Sequence, residues 1–543
     1  MGKWSPIMRF LAVVVICGLL PGAAACRRES AGPPAPGRVT ILYTGGVQGA
    51  LEPCGCSPGQ LGGIARIATL LQEIRKETDA IILVDAGDRL FQEAEISEAM
   101  GAQRILKAKF IQKAYGALGA GVLNIGGNDL AGGSALAIHE AREIGAAPLS
   151  ANLFAPKGLR KTLAQAATIV DAGGVRVTFV GVMDPASVSA SEKELFRVED
   201  PVARVRATVE AFRGQTDVMV LLSTLDREAN ARLAARVEGI DLVIGAGVRG
   251  RPANVVIPDQ AGKSFLVQVK PLGEFLGRID LAPAPVGADG FINVTEKPTV
   301  YGLRPEGAVI TDGIDFGDDL DLRGVPARES RSLLPALPPV EPGTLRHTVY
   351  AVGDYLVQNP GIQRLMNEYK LEVAALNRRV PVTAERLPTE GAHYAGDETC
   401  RGCHTSVFDF VSTLPHAHAY ATLEDRQSEY DLECVGCHVT GWNKPGGFNH
   451  PAAAGNLKNV QCEACHGPGS DHVAAGGARG VGGMKAEVSL SVCLQCHTPE
   501  ESTRFAGDEE SYLDRIRCSR AVLADAAAMQ KQNARPAGGP GGE

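Results

Sequence analysis

Val460-Gln-Cys-Glu-Ala-Cys-His-Gly-Pro-Gly-Ser-Asp-His472 sets two cysteines three apart, a histidine directly after the second, and another histidine six residues later. The first part of this pattern occurs four times between residues 400 and 497: Cys400-Arg-Gly-Cys403-His404, Cys434-Val-Gly-Cys437-His438, Cys462-Glu-Ala-Cys465-His466 and Cys493-Leu-Gln-Cys496-His497. In such a segment two thiols can add to the two vinyl groups of a haem, while the adjoining histidine reaches the iron from the same side. Zinc also takes Cys-x-x-Cys pairs, but it combines two pairs per metal and does not need a histidine after every second cysteine. The spacing therefore predicts four covalently attached c-type haems.

Each iron has a sixth position, and residues 393–472 carry His393, His416, His418, His450 and His472 outside the repeats. A second imidazole makes the iron six-coordinate and suits it to electron transfer, whereas an open position lets a small ligand bind. Four haems on so short a stretch leave little room for a protein-only core. The macrocycles are then expected to supply much of the buried apolar surface and to lie close enough for electrons to hop between them.

Further landmarks are Leu414-Pro-His-Ala-His-Ala419, Cys437-His-Val-Thr-Gly441, Gly446-Gly-Phe448 and Asn459-Val-Gln-Cys462 running on to His472. On these, the region from Tyr394 to Cys518 resembles the cytochrome c-554 family of multihaem cytochromes. The resemblance implies His472 and one of His416 or His418 as distal ligands, with His416 preferred. His393 and His450 match no landmark and read as surface histidines. Related sequences carry a histidine near the end where this chain has Arg515-Ile-Arg-Cys518. Cys518 reads as an incidental free cysteine rather than a thiolate ligand, which would need desolvation and positive neighbours. At least one iron is then expected to be five-coordinate.

The first half alternates β-branched runs, Ala80–Val84, Arg176–Val180, Asp217–Leu222 and Asp241–Ile244, with helical stretches Ile64–Lys76, Ala102–Leu118 and Arg227–Val237, an α/β layered pattern. The loops after these strands resemble those of calcineurin-like metallophosphoesterases, in particular the 5′-nucleotidase branch. Ile41 to Gln48 stands where that family has Asp-x-His, Val84 to Asp88 where it has Gly-Asp, and Gly126 to Asp129 where it has Gly-Asn-His, with Ser150-Ala-Asn152 following. Leu222-Ser-Thr224 and Gly245-Ala-Gly-Val-Arg249 take the places of Ser-His and Gly-His-x-His. Position by position the ligands become Gly46, Gln48, Asp129, Thr224, Gly247 and Arg249, and only Asp88 and Asn128 survive. Two-metal hydrolysis needs a clamp of carboxylates and imidazoles. The resemblance therefore implies the fold without the chemistry, Asp129 being at most a base without a metal. Cys54 and Cys56 beside this loop read equally as loop packing or as a soft-metal or redox pair.

The chain has 543 residues, 45% of them hydrophobic, and 54 Lys plus Arg against 62 Asp plus Glu, with no basic block to suit nucleic acid. Lys3 and Arg9 precede the apolar run Phe10 to Leu20, which is too short to span a bilayer but suits a signal peptide. Pro-Gly-Ala-Ala-Ala-Cys26 resembles a bacterial lipobox, with an ordinary small-residue cleavage site as the alternative. An exported, lipid-anchored chain also fits thirteen cysteines.

The expected organisation is a signal peptide at 1–25, a flexible tether at 26–38, the phosphatase-like α/β sandwich at 39–282 and a Pro/Gly-rich linker at 283–345. A connector helix at 346–392, a mainly α, loop-rich tetrahaem module at 393–520, and a helix end with disordered tail at 521–543 complete it. The leading functional expectation is an exported electron carrier, working with other redox proteins as donor and acceptor and with a non-catalytic first domain that docks or positions. A metal-dependent phosphoesterase and a multihaem reductase of a small nitrogen or sulfur oxide are the alternatives.

Overall fold

The computed structural model describes residues 37–53, 60–155, 164–246, 253–257, 264–284, 292–293, 299–301, 334, 337–379, 391–452, 457–478, 480–498, 502, 505 and 508–519. The expectations for Cys26, Cys54, Cys56, Gly247, Arg249, the signal peptide and the tail fall outside them.

Strand Val39–Thr44 is buried along its whole length, which an extended segment achieves only with a layer on each side. Ile41 and Tyr43 point into one apolar cluster and Leu42 into another. The strand sits inside a sheet in the order Ile292–Asn293, Thr344–Ala351, Phe275–Ala282, Val39–Thr44, Ile81–Asp85, Val122–Asn124, Ala147–Leu149, with Thr299–Tyr301 also pairing Thr344–Ala351. The last four strands of that order run parallel and the pairs around Phe275–Ala282 antiparallel. A second sheet runs Ala253–Ile257, Ser264–Gln268, Leu242–Gly245, Val218–Ser223, Val175–Val182, Ala167–Ala172. Val177, Phe179, Val220, Leu222 and Ile244 of the second sheet meet Ile41, Tyr43, Val84 and Ile279 of the first in one cluster between the sheets. Helices Ile64–Arg75 and Glu98–Leu118 cover the outer face of the first sheet, and Pro201–Phe212 and Arg227–Ala234 that of the second. The result is the expected α/β layered sandwich.

Local signals place the helix starts. Asp200 and Asp226 accept from the backbone N–H groups of Ala203 and Ala229, and Pro201 opens its helix where a missing N–H costs nothing. Asn359 does the same for helix Pro360–Asn377, accepting from Gly361 and Ile362.

The first sheet does not end near residue 282. Thr344–Ala351 pairs antiparallel with Phe275–Ala282 from Ala351 opposite Phe275 to Thr344 opposite Ala282. Helix Pro360–Asn377 then lays Ile362, Met366, Tyr369 and Val373 into the cluster under Ile64–Arg75 and Glu98–Leu118, with Tyr369 edge-on to Phe110 at 5.6 Å. It is a structural member of the sandwich as well as a connector.

From residue 391 onward the chain forms short helices and loops, with helices Asp397–Arg401, Leu432–Val435, Cys462–His466 and Leu490–Cys493 carrying the first cysteine of each repeat. Its apolar cluster comprises only Tyr420, Leu423, Val435, Val439, Phe448 and Leu457, with Tyr394, Cys434 and Trp442 at the edge. No helix among the described residues is long and apolar enough to cross a membrane.

Candidate functional site

One helical turn places each Cys-x-x-Cys-His repeat. The amides of Cys403, Cys437 and Cys496 donate to the carbonyls of Cys400, Cys434 and Cys493, which sets both thiols of a pair on the same side. His404 and His497 donate their amides to the same Cys400 and Cys493 carbonyls, so each imidazole leaves the turn beside its cysteines. The first and third repeats touch through the Cys400 and Cys462 thiols. The described cysteines form no disulfide with one another, and each is at least partly accessible.

The imidazoles are the informative part. The rings of His404 and His472 lie with centroids 6.4 Å apart and planes 17° from parallel. Those of His416 and His497 lie 5.9 Å apart and nearly perpendicular, at 84°. A metal about 2 Å from a nitrogen on each side would hold two ring centroids roughly 6 Å apart. Each pair joins one repeat histidine to one histidine outside the repeats. His472 donates Nδ1–H to the Ala478 carbonyl at 3.0 Å and His466 to that of Lys485 at 2.6 Å, while His438 uses Nδ1 on Ala419. A carbonyl can only accept, so in each ring Nδ1 carries the proton and Nε2 keeps the lone pair that a metal needs. Burial, with His497 and His438 nearby, lowers the His416 pKa, keeping that ring neutral and ligand-ready.

His418 and His450 are used otherwise. His418 Nε2 bonds the Ser412 carbonyl at 3.1 Å. His450 is 5% exposed, against the expectation of a surface residue. Its Nε2 donates to the Asn377 carbonyl at 2.8 Å and its Nδ1 accepts from Ala452. It ties the haem module to helix Pro360–Asn377. His393 is half-buried, its backbone bonded to Ser470 close to His472. His466 lies against no second imidazole among the described residues, and all eleven histidines of the chain are described.

Cys518 lies within electrostatic reach of Cys462 and Cys465, and burial pushes its thiol pKa up, so at neutral pH it is a thiol and not a thiolate. The chain from His404 to Leu494 fits haem: thiol pairs on single turns, imidazoles spaced to admit a metal, a protein core of only a few side chains, and Val473, Val481, Leu490 and Leu494 left exposed beside the repeats.

In the first half, the side chains at the described loop positions bond the loops' own backbone. Asp129 is fully buried and accepts from the amides of Asp88, Leu90 and Gly126, at 3.0, 2.9 and 2.9 Å, with the Arg89 guanidinium 3.7 Å away. Its carboxylate is committed and is not placed to act as a base. Asp88 accepts from the Asn128 amide, and burial together with Asp129 raises its pKa. Asn128 reaches the Gln92 carbonyl, and Thr224 accepts from the Asp184 amide. Gly46 and Gln48 adopt positive φ of 60° and 53° and bond the Gly87 and Asp88 carbonyls through their amides. Asp85 is bonded by Thr44, Tyr115 and the Gly87 amide, and burial pushes it up to about 6. Among the described residues no group of three or more His, Cys, Asp or Glu is arranged to hold a metal ion.

Residues 399–467 match the family described as cytochrome c554 and c-prime. The chain is 32% identical over 151 residues to cytochrome c-554 of Nitrosomonas europaea, covering 22% of this chain and 64% of that protein. It is also 26% identical over 229 residues to a 5′-nucleotidase of Diplobatis ommata, covering 40% of this chain and 38% of that one. Each match thus spans less than two thirds of the curated relative. Among solved structures, a 5′-nucleotidase precursor from Thermus thermophilus aligns with a TM-score of 0.43 and 14% identity over 76% of this chain and 72% of its own. The C-terminal part is thus similar over residues 399–467 to a c-type cytochrome family, and the part before it is similar to 5′-nucleotidases.

Proposed function

We propose that the chain is an exported electron carrier with four covalent haems, attached through Cys400 and Cys403, Cys434 and Cys437, Cys462 and Cys465, and Cys493 and Cys496. Its phosphatase-like domain is non-catalytic and positions the haem module. The observation that carries this reading is the pair of facing imidazoles, His404 with His472 and His416 with His497, each at the separation a six-coordinate iron requires. Bound haem supplies the one-electron couple. The protein's own part would be to fix the imidazoles of His438, His466, His472 and His497 through Nδ1 hydrogen bonds, which limits rearrangement when the charge changes. Its location is the periplasm or cell surface, reached by the N-terminal signal and held by lipid on Cys26, and its partners are redox proteins.

A second reading is favoured by His466, which faces no second imidazole among the described residues. An open position there suits reduction of a small nitrogen or sulfur oxide. Two measurements separate the readings. Stopped-flow reduction and reoxidation of the purified holoprotein should show all haems cycling without substrate. Steady turnover of nitric oxide, hydroxylamine or sulfite, quenched by His466→Ala, would replace the carrier reading with the reductase.

A further inference from the structure

The two halves meet at one place with a specific set of polar contacts, and that place is the segment leading into the second repeat. Gln103 of helix Glu98–Leu118 donates to Asp431 at 2.6 Å and accepts from the Leu432 amide at 3.0 Å and from Asn377 at 2.7 Å. Tyr369 donates to the other oxygen of Asp431 at 3.3 Å. Beside it on the same helix, Arg104 Nε lies 3.1 Å from one Glu433 oxygen, and Lys107 Nζ, one turn on from Gln103, lies 2.6 Å from the other. Asn377 also reaches the Tyr430 carbonyl, and Arg378 stacks on the Tyr430 ring at 4.4 Å. Residues 430–433 are therefore gripped side chain by side chain, and the next residue is Cys434, an attachment cysteine.

Gln103 and Asn377 are 2% and 3% exposed, and every polar contact they lose is a buried one. The grip also has an electrostatic side. Burial opposes the Lys107 charge, but Glu433 and Asp431 outweigh it and raise the Lys107 pKa, while Lys107 in turn lowers that of Glu433. Lys107 and Tyr369 both lie within electrostatic reach of the Cys434 sulfur. Fixed charges so close to a redox centre bias its charge state, cations favouring the reduced form and anions the oxidised form.

We infer that Gln103, Arg104, Lys107 and Tyr369 are positioning residues for the second haem: the phosphatase-like domain holds its attachment segment, and the Arg104–Lys107–Glu433 cluster sets its reduction potential. This rests on the reading of residues 434–438 as a haem attachment site. It assigns the retained domain a definite task, tuning one haem of the four.

The test is spectroelectrochemistry of the holoprotein with spin state followed in parallel. Arg104→Ala with Lys107→Ala leaves Glu433 uncompensated and should shift one haem component to lower potential. Glu433→Gln leaves the cations uncompensated and should shift the same component upward, with the other components unmoved in both. Lys107→Arg should keep the parent value. A loss of packing alone would move both variants in the same direction. Unchanged potentials in both, or shifts of the same sign, would overturn the inference. Should the double variant not fold, Lys107→Gln and Glu433→Gln give the same opposed pair. Peptide mapping keeps the two failures apart: no haem on Cys434 and Cys437 sinks the underlying reading, and haem present with unmoved potentials sinks only the positioning role.

Discussion

Removing the His472 imidazole should convert one iron, and one only, from low spin to high spin. His472 faces His404 with ring centroids 6.4 Å apart, and no other histidine stacks on His404. The ring is held from one side by the Ala478 carbonyl and sits on the five-residue helix Ser470–Ala474, so His472→Ala removes a ligand without removing core. The magnitude follows from counting. Each imidazole pair would hold one low-spin iron, so the substitution should remove one iron's share of the low-spin signal and raise the high-spin signal by the same amount. His416→Ala should remove a second share independently, and the double variant should remove both. Quantitative electron paramagnetic resonance of the oxidised protein measures this, with free imidazole added to refill the vacated position. A His472→Ala spectrum matching the parent would refute the pairing, and so would the loss of both low-spin signals from that single change.

Three other outcomes are expected. His450→Ala should leave the spin populations unchanged but cost about 1–3 kcal/mol in denaturant unfolding, because the Asn377 carbonyl and the Ala452 amide lose a buried partner. Asp129→Ala should destabilise the first half by roughly 3–5 kcal/mol, since it strands the buried Arg89 and three amides, and the thermal melting of the full chain reads it. Asp241 is held up to about 6 by burial, against an ordinary 3.8, so the folded state binds its proton more tightly. Its contribution is full below the unfolded value and is lost as pH rises from about 4 to 6; Asp241→Asn should abolish that part of the slope, and a slope equal to the parent's would contradict it.

The parts of this molecule that follow local rules were legible. Ile81–Asp85 and Val218–Ser223 are strands because β-branched runs suit a doubly covered sheet, and Asn359-Pro360 opens a helix by cap and ring geometry. Thr344–Ala351 was not legible as part of the sandwich. It follows a long Pro-rich stretch and carries Arg346 and His347, and His347 enters the core with the Tyr43 hydroxyl 2.8 Å away. The repeats were legible through their spacing. The approach of His404 to His472 was not, because they meet only after the chain between them has folded. His450 was misread as a surface residue for the same reason: its partner, the Asn377 carbonyl, lies in another element. Asp129 shows the limit in the other direction, since a carboxylate at a former ligand position reads as chemistry until its amide partners are seen.

The measurement that bears most directly on the central claim is the intact mass of the mature protein, produced with a c-type maturation system and denatured before analysis. Thioethers survive denaturation, so four haem increments should remain on the chain, distributed over the four Cys-x-x-Cys-His peptides. Bound zinc in place of haem, haem that extracts into acid solvent, or fewer than four increments would contradict the account.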